Sequence, residues 1–384
     1  MKKRIISILL VSVILISGLV FLPSSASAKE YGAKIDAKSA VLMDATTGEI
    51  LFEQNADEPL PPASVTKVMT LLLVMEALDE QKIALDDKVV ASTHASEMGG
   101  SQIYLKAGEE MSVEDLLKSV VVSSANDAAV ALAEHICGSE EAFVSEMNRR
   151  AKELGMNNTH FENTNGLDDT TENHVTSARD IAIMSRELLK HEKITEYSSI
   201  WMSTIRDGAF TLTNTNRLVR FYPGATGLKT GSTSKAKFCI SATAKRDNMH
   251  LIAVIMGAPT RDIRNEEAKK LLDFGFANFS LYEYKNDSFG SIDVTGGLKD
   301  TCELGVVEFS KILDKGAGSA LKERIDIQEK IGAPLKAGDE VGKIYFEVNG
   351  EVVGETSIIC KEDVAKISYL EILIRMLKSF MVAR

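Results

Sequence analysis

The 384-residue chain lacks most of the short patterns that give a function away. Its four cysteines, Cys137, Cys239, Cys302 and Cys360, include no C-x-x-C pair, which argues against a zinc ribbon or a dithiol redox site. The six histidines contain no H-E-x-x-H, so a zinc peptidase is disfavoured and no metal is implied. There is no G-x-S-x-G elbow to present a serine to a histidine. No basic stripe is found and the formal charge is −11, so nucleic acid is not an expected partner. Internal repeats and low-complexity tracts are also missing. Cys239 lies in the apolar run KFCISATA and reads as a buried thiol. Cys302 and Cys360 share the C-terminal region, where an oxidising compartment would permit pairing.

What is present is ordinary globular material. Hydrophobic residues make up 45% and charged residues 26%, and the length suits two domains. Residues 1–28 read as a signal peptide: MKKR, an apolar run from Ile5 to Leu22, then Ala26-Ser27-Ala28. Eighteen apolar residues can also span a bilayer, but the Ala-x-Ala favours cleavage before Lys29. Removing Lys2, Lys3 and Arg4, with no acid, takes the charge from −11 to −14.

The periodicity predicts an α+β fold. SAVLMDATTGEILFEQN reads as two strands about a turn, and helical spacing dominates from the Pro59–Pro62 break onward. SVEDLLKSVVVSSANDAAVALAEHI reads as one helical stretch, and SEEAFVSEMNRRAKELG as another with Ser139 as N-cap and Gly155 after its end. SARDIAIMSRELLKH is a third. Strand character returns with FTLTNTNRL and with KFCISATAKRDNMHLIAVIMGA, a hairpin turning at Arg246 to Asn248, before a helix in RNEEAKKLLDFGFANF. A β-rich domain is expected from residue 281 to 362, with Asn349-Gly350 as a two-residue hairpin turn. Residues 363–384 read as an amphipathic helix. Ser368, Glu371, Arg375, Lys378 and Ser379 share about 100° of arc at 3.6 residues per turn, and apolar residues cover most of the rest. Such a helix suits a membrane surface, the alternative being docking on the protein's own β domain.

The stretch PPASVTKVMTLLLVMEAL raises the central question, because it sets Lys67 in an apolar helix three residues after Ser64. The S-x-x-K spacing also occurs at Ser232/Lys235, Ser234/Lys237 and Ser319/Lys322, but only at Ser64 is the helix strongly apolar. Residues i and i+3 share a face, so the amine can reach the hydroxyl. Burial disfavours the ammonium; bringing a lysine from about 10.4 to near 7 costs roughly 4–5 kcal/mol. A neutral lysine can then deprotonate serine without histidine. A lysine that snorkels into water would have no such role.

Two further motifs accompany it: Ser124-Ala125-Asn126, the only S-x-N, and Lys229-Thr230-Gly231, the only K-T-G, placed before an apolar strand. In this order the set resembles the penicilloyl-serine transferases. Together with LPPASVTKVMT, SSANDAAVALAE, NTNGLDDTTENHVTSARDIA, YPGATGLKTGST and LLDFGF, it is similar to the low-molecular-mass penicillin-binding proteins, the serine D-alanyl-D-alanine carboxypeptidases. The match runs from about residue 35 to 280. The resemblance implies a β-lactamase-like peptidase domain over residues 29–280, an antiparallel sheet with helices packed on it and a helical subdomain, then the β-rich domain and terminal helix.

It also implies roles. Ser64 would be acylated by the peptidoglycan stem ending in D-Ala-D-Ala, or by β-lactams, with Lys67 as base. Ser124 would relay a proton to the leaving D-alanine, Asn126 would hold the substrate amide, and Lys229 and Thr230 would bind the terminal carboxylate. The backbone N–H groups of Ser64 and Ser232 would hold the oxyanion. No cofactor is implied. The duller readings make Ser124 and Asn126 helix-capping or kinking residues, Lys229 and Thr230 a turn into a strand, and His174 structural. Competing functions are a β-lactamase, for which Glu162 and Glu172 lie in a suitable loop, and a non-catalytic wall-binding protein.

Overall fold

The computed structural model describes residue 32 and residues 34–382 other than residue 170; for 379, 380 and 382 it describes backbone alone. Residues 1–28, expected to be a signal peptide, lie outside the described residues.

Strand β1 (Ser39–Asp44) is buried throughout, because its alternating side chains enter two cores. Val41 and Met43 join one, Ala40 and Leu42 the other. It pairs with β2 (Ile50–Gln54) and lies in an antiparallel sheet of order β2-β1-β5-β4-β3, with β3 (Ala225–Thr233), β4 (Lys237–Arg246) and β5 (Met249–Ala258). Helices α1 (Lys67–Asp79), α2 (Asn126–Cys137), α3 (Glu140–Glu153) and α4 (Ala178–Leu188) fill one face, and α5 (Arg261–Asn278) covers the other. Every residue of α1 from Lys67 to Met75 is buried, as befits a helix apolar all round. Ser139 and Gly155 behave as expected: the Ser139 hydroxyl accepts from Ala142 N–H, and Gly155 adopts φ +73°.

Two expectations need correction. The helical stretch expected across Ser112 to Ile136 is broken at Ser124, which sits at φ +65° after a π-helical turn, Ser119–Ser123. K-T-G precedes the apolar strand β4, as expected, and itself lies inside β3 at the sheet's edge. FTLTNTNRL is strand only over Phe210–Thr213, which pairs with Met202–Ile205 outside the main sheet.

Beyond α5 the chain is β-rich. Strand β6 (Phe279–Tyr284) pairs with β9 (Phe309–Asp314). A six-stranded sheet has the order β10-β12-β13-β8-β7-β11, from β7 (Gly290–Thr295), β8 (Thr301–Val306), β10 (Leu321–Ile327), β11 (Lys330–Gly332), β12 (Glu340–Val348) and β13 (Glu351–Cys360). Asn349 and Gly350 take φ +54° and +87°, the two positive angles of a type I′ hairpin turn. Phe346 anchors this core, stacked on Phe309 at 4.5 Å. Cys302 and Cys360 are both buried free thiols.

Candidate active site

Pro62 and the strained Ala63, at φ +49°, turn the chain into a short 3₁₀ segment, Ala63–Thr66, that runs into α1. Ser64 is half-buried there, while Lys67 is fully enclosed, which rules out a snorkelling side chain. Lys67 Nζ lies 3.1 Å from Ser64 Oγ, 2.5 Å from Asn126 Oδ1 and 2.7 Å from the carbonyl oxygen of Asn165. Burial foremost, and then the positive charge of Lys229, pushes the Lys67 amine well below its ordinary value; Asp127 opposes this.

The break at Ser124 aims its hydroxyl across the cleft, where it accepts from Lys229 Nζ at 2.8 Å. Lys229 also donates to the Thr230 carbonyl at 3.0 Å. Its amine is lowered to about 7, by burial first and by Arg264 second. Arg264 was not singled out by the sequence, since arginine is ordinarily exposed. Here it is 3% exposed, bonded to the Asn265 side-chain oxygen and, at 3.5 Å, to the Cys239 carbonyl, and burial lowers it to about 10. Among the described residues none of Lys67, Lys229 and Arg264 has a carboxylate within ion-pair distance. Lys229 and Arg264 therefore leave the recess ready for an anion.

Close packing makes the recess possible. A Cβ on Gly231 would lie 2.8 Å from Ser64 N, so only glycine lets β3 approach the start of α1 this closely. Gly166 serves the facing loop: at φ +83°, a Cβ would fall 1.9 Å from the Ala63 carbonyl oxygen. This loop presents the Asn165 carbonyl to Lys67, a contribution that N-T-N-G reveals only as a turn. Asp127, also missed, is buried and accepts from the N–H groups of Ile103, Leu105 and Ala128. Asn126 Nδ2 donates to the Gly99 carbonyl at 2.7 Å, tying the same segment to the S-x-N motif. Ser232 is exposed on β3 beside Gly231.

His174 sits apart in role. Its Nδ1 accepts from Glu162 N–H at 3.0 Å, so the proton is on Nε2, which faces Thr66 Oγ1 at 2.7 Å; that hydroxyl donates to the Ala63 carbonyl. Burial lowers the imidazole to about 4, leaving it neutral and structural. Glu162 accepts the backbone N–H groups of Glu172 and Asn173, one on each carboxylate oxygen, and so closes the loop on itself.

Known proteins share this layout. A family model described as D-alanyl-D-alanine carboxypeptidase matches residues 24–260, and one described as penicillin-binding protein 5, C-terminal domain, matches residues 276–366. The chain is 45% identical over 385 aligned positions to the D-alanyl-D-alanine carboxypeptidase DacF of Bacillus subtilis, covering 97% of each. It is similar to the crystal structure of penicillin-binding protein 5 from Haemophilus influenzae, with TM-score 0.77 and 34% identity over 87% of this chain and 99% of that one. It also resembles penicillin-binding protein D2 of Listeria monocytogenes in its ampicillin-bound form, with TM-score 0.59 and 34% identity over 64% of this chain and all of that one.

Proposed function

The chain belongs to the D-alanyl-D-alanine carboxypeptidase family and is a serine peptidase of the cell wall; from that premise we propose that Ser64 is the acylated nucleophile and Lys67 its base. The observation that carries this reading is the set of partners around Lys67. A neutral amine has two N–H donors and one lone pair. Asn126 Oδ1 and the Asn165 carbonyl can only accept, so they take the two donors. The remaining partner, the Ser64 hydroxyl, is the one able to give a proton, and the lone pair is left facing it.

Ser64 Oγ then attacks the carbonyl carbon between the two D-alanines while its proton moves to Lys67. The oxyanion forms between the N–H groups of Ser64 and Ser232. Ser124, bonded to Lys229, gives its proton to the departing D-alanine amine and takes back the one that Lys67 received from Ser64, the C–N bond breaks, and water later releases the acyl group. Asn126 holds the stem amide. Lys229 and Thr230, in the field of Arg264, bind the terminal carboxylate, and the same carboxylate site admits penicillins as covalent inhibitors. Both oxygens of Glu162 are bonded to backbone N–H groups of its own loop, which supports a carboxypeptidase over a β-lactamase.

The experiment is a pH series of D-alanine release from a stem pentapeptide. The Lys229 cation, half lost at about 7, disappears as pH rises, so KM climbs above about pH 7, approaching tenfold per unit. A KM that stays level from pH 7 to 9 counts against Lys229 as the carboxylate's cation, and no D-alanine release with the pentapeptide still bound points to the wall-binding alternative.

We assign the peptidase domain to residues 29–280 and the β domain to 281–362, after a signal peptide over 1–28. We also assign the terminal helix, α6 (Tyr369–Val382), to a membrane surface. Ser368 and Glu371 cap it reciprocally, and Leu370, Leu373, Ile374 and Leu377 on it are all exposed, which favours a bilayer over docking on the β domain. No described helix is long and apolar enough to cross a membrane. Leu370→Glu with Leu377→Glu should lower cosedimentation with phosphatidylglycerol vesicles at least about tenfold, without loss of activity on soluble peptide. Undiminished cosedimentation would remove the helix from this role.

A further inference from the structure

The turn Asn214–Asn216 is built to place one hydroxyl. Asn214 Nδ2 donates to the carbonyls of Ser198 and Ile200 at 3.1 and 2.7 Å, and its Oδ1 accepts from Asn216 N–H at 2.8 Å. Asn216 Nδ2 donates to the Gly227 carbonyl on β3 at 2.7 Å, and its Oδ1 accepts from Leu218 N–H. Both asparagines are buried. Between them, Thr215 N–H donates to the Val122 carbonyl, two residues before Ser124. The backbone on either side of Thr215 is thus fixed to β3, to the π-helical turn and to the Ser198–Ile200 segment.

What this clamp delivers is Thr215 Oγ1, 2.8 Å from Thr230 Oγ1, which donates to it. A threonine hydroxyl has one proton. In the free enzyme the Thr230 proton points at Thr215, away from any incoming anion, yet the carboxylate reading of Thr230 requires that same proton to point outward. A partner that could only accept would lose its hydrogen bond when Thr230 turns. A hydroxyl partner can donate back once its side chain turns to reverse the one-way bond of the free enzyme.

We propose that Thr215 is a positioning residue of the carboxylate subsite, holding the Thr230 hydroxyl in the free enzyme and donating to it when the substrate's terminal carboxylate binds. The inference rests on the reading of Thr230 given above. A chain of two hydroxyls, each polarising the next, strengthens the last donor in it.

The test measures kcat and KM for release of D-alanine from a stem pentapeptide by Thr215→Val, Thr215→Ala, Thr215→Ser, Thr230→Val and the Thr215→Val/Thr230→Val pair. Thr215→Val and Thr215→Ala should each raise KM about tenfold with kcat within about twofold, the size expected for one hydrogen bond. Thr215→Ser should restore the parent KM, and Thr215→Val should add nothing in the Thr230→Val background. If Thr230→Val raises KM but Thr215→Val and Thr215→Ala leave it unchanged, or lower kcat alone, the role given to Thr215 is wrong. If Thr230→Val itself leaves KM unchanged, the carboxylate reading beneath it fails.

Discussion

Ser64→Ala abolishes both D-alanine release and covalent capture of penicillin, with the acylation rate falling by about four to six orders of magnitude, the range found when a nucleophile is removed. The size of the loss follows from the geometry. Among the described residues the Ser64 hydroxyl is the one in contact with the buried Lys67 amine. A water molecule in its place would not be held at the junction of α1 and β3. The substitution should be structurally mild, because Ser64 is half-exposed and its side chain makes one hydrogen bond. Mass spectrometry of the intact protein after penicillin exposure checks this, with an unchanged melting temperature as control. A penicilloyl adduct persisting on Ser64→Ala would transfer the nucleophile's role elsewhere.

Lys67→Arg is the second large effect, and it separates a base from a mere cation. Arginine keeps the charge and the donors but stays protonated throughout the accessible pH range. If Lys67 works as a proton acceptor, Lys67→Arg should be nearly as damaging as Lys67→Met, each lowering the acylation rate by about 10²–10⁴-fold, the usual worth of a general base. Stopped-flow acylation by a chromogenic β-lactam provides the measurement. Near-parent rates in Lys67→Arg would mean that the site wants positive charge rather than a lone pair. The neighbourhood argues otherwise. Lys67 is wholly buried, its strongest perturbation is desolvation, and the next is a like charge, Lys229.

Much of this was legible because it depends on side-chain pattern. An apolar run from Val65 to Met75 specifies a buried helix but leaves open whether its one lysine snorkels, and the three motifs name the residues facing it. Asn349-Gly350 specifies its hairpin because both residues tolerate positive φ. What escaped notice depends on backbone or on context. The break at Ser124 lies within residues of unbroken helical spacing, so periodicity runs through it, and tertiary packing supports the π-helical turn and the left-handed serine. The Asn165 carbonyl acts through the main chain, which leaves no side-chain signature. Arg264 and Asp127 matter because they are buried, and charged residues carry no local mark of burial. That K-T-G is itself in a strand gave no signal, because threonine, glycine and serine dilute the apolar run of β3, although an edge strand with one free side tolerates them.

The claim on which the mechanism turns is that Lys67 is an uncharged amine in the resting enzyme at neutral pH. It can be read directly by NMR titration of enzyme labelled with ¹³C and ¹⁵N in lysine, with the Lys67 resonance identified by its loss in Lys67→Met. The account predicts that this side chain gives up its proton well below the ordinary lysine value, as its burial requires. A resonance that stays in its protonated position until pH nears 10 would contradict it.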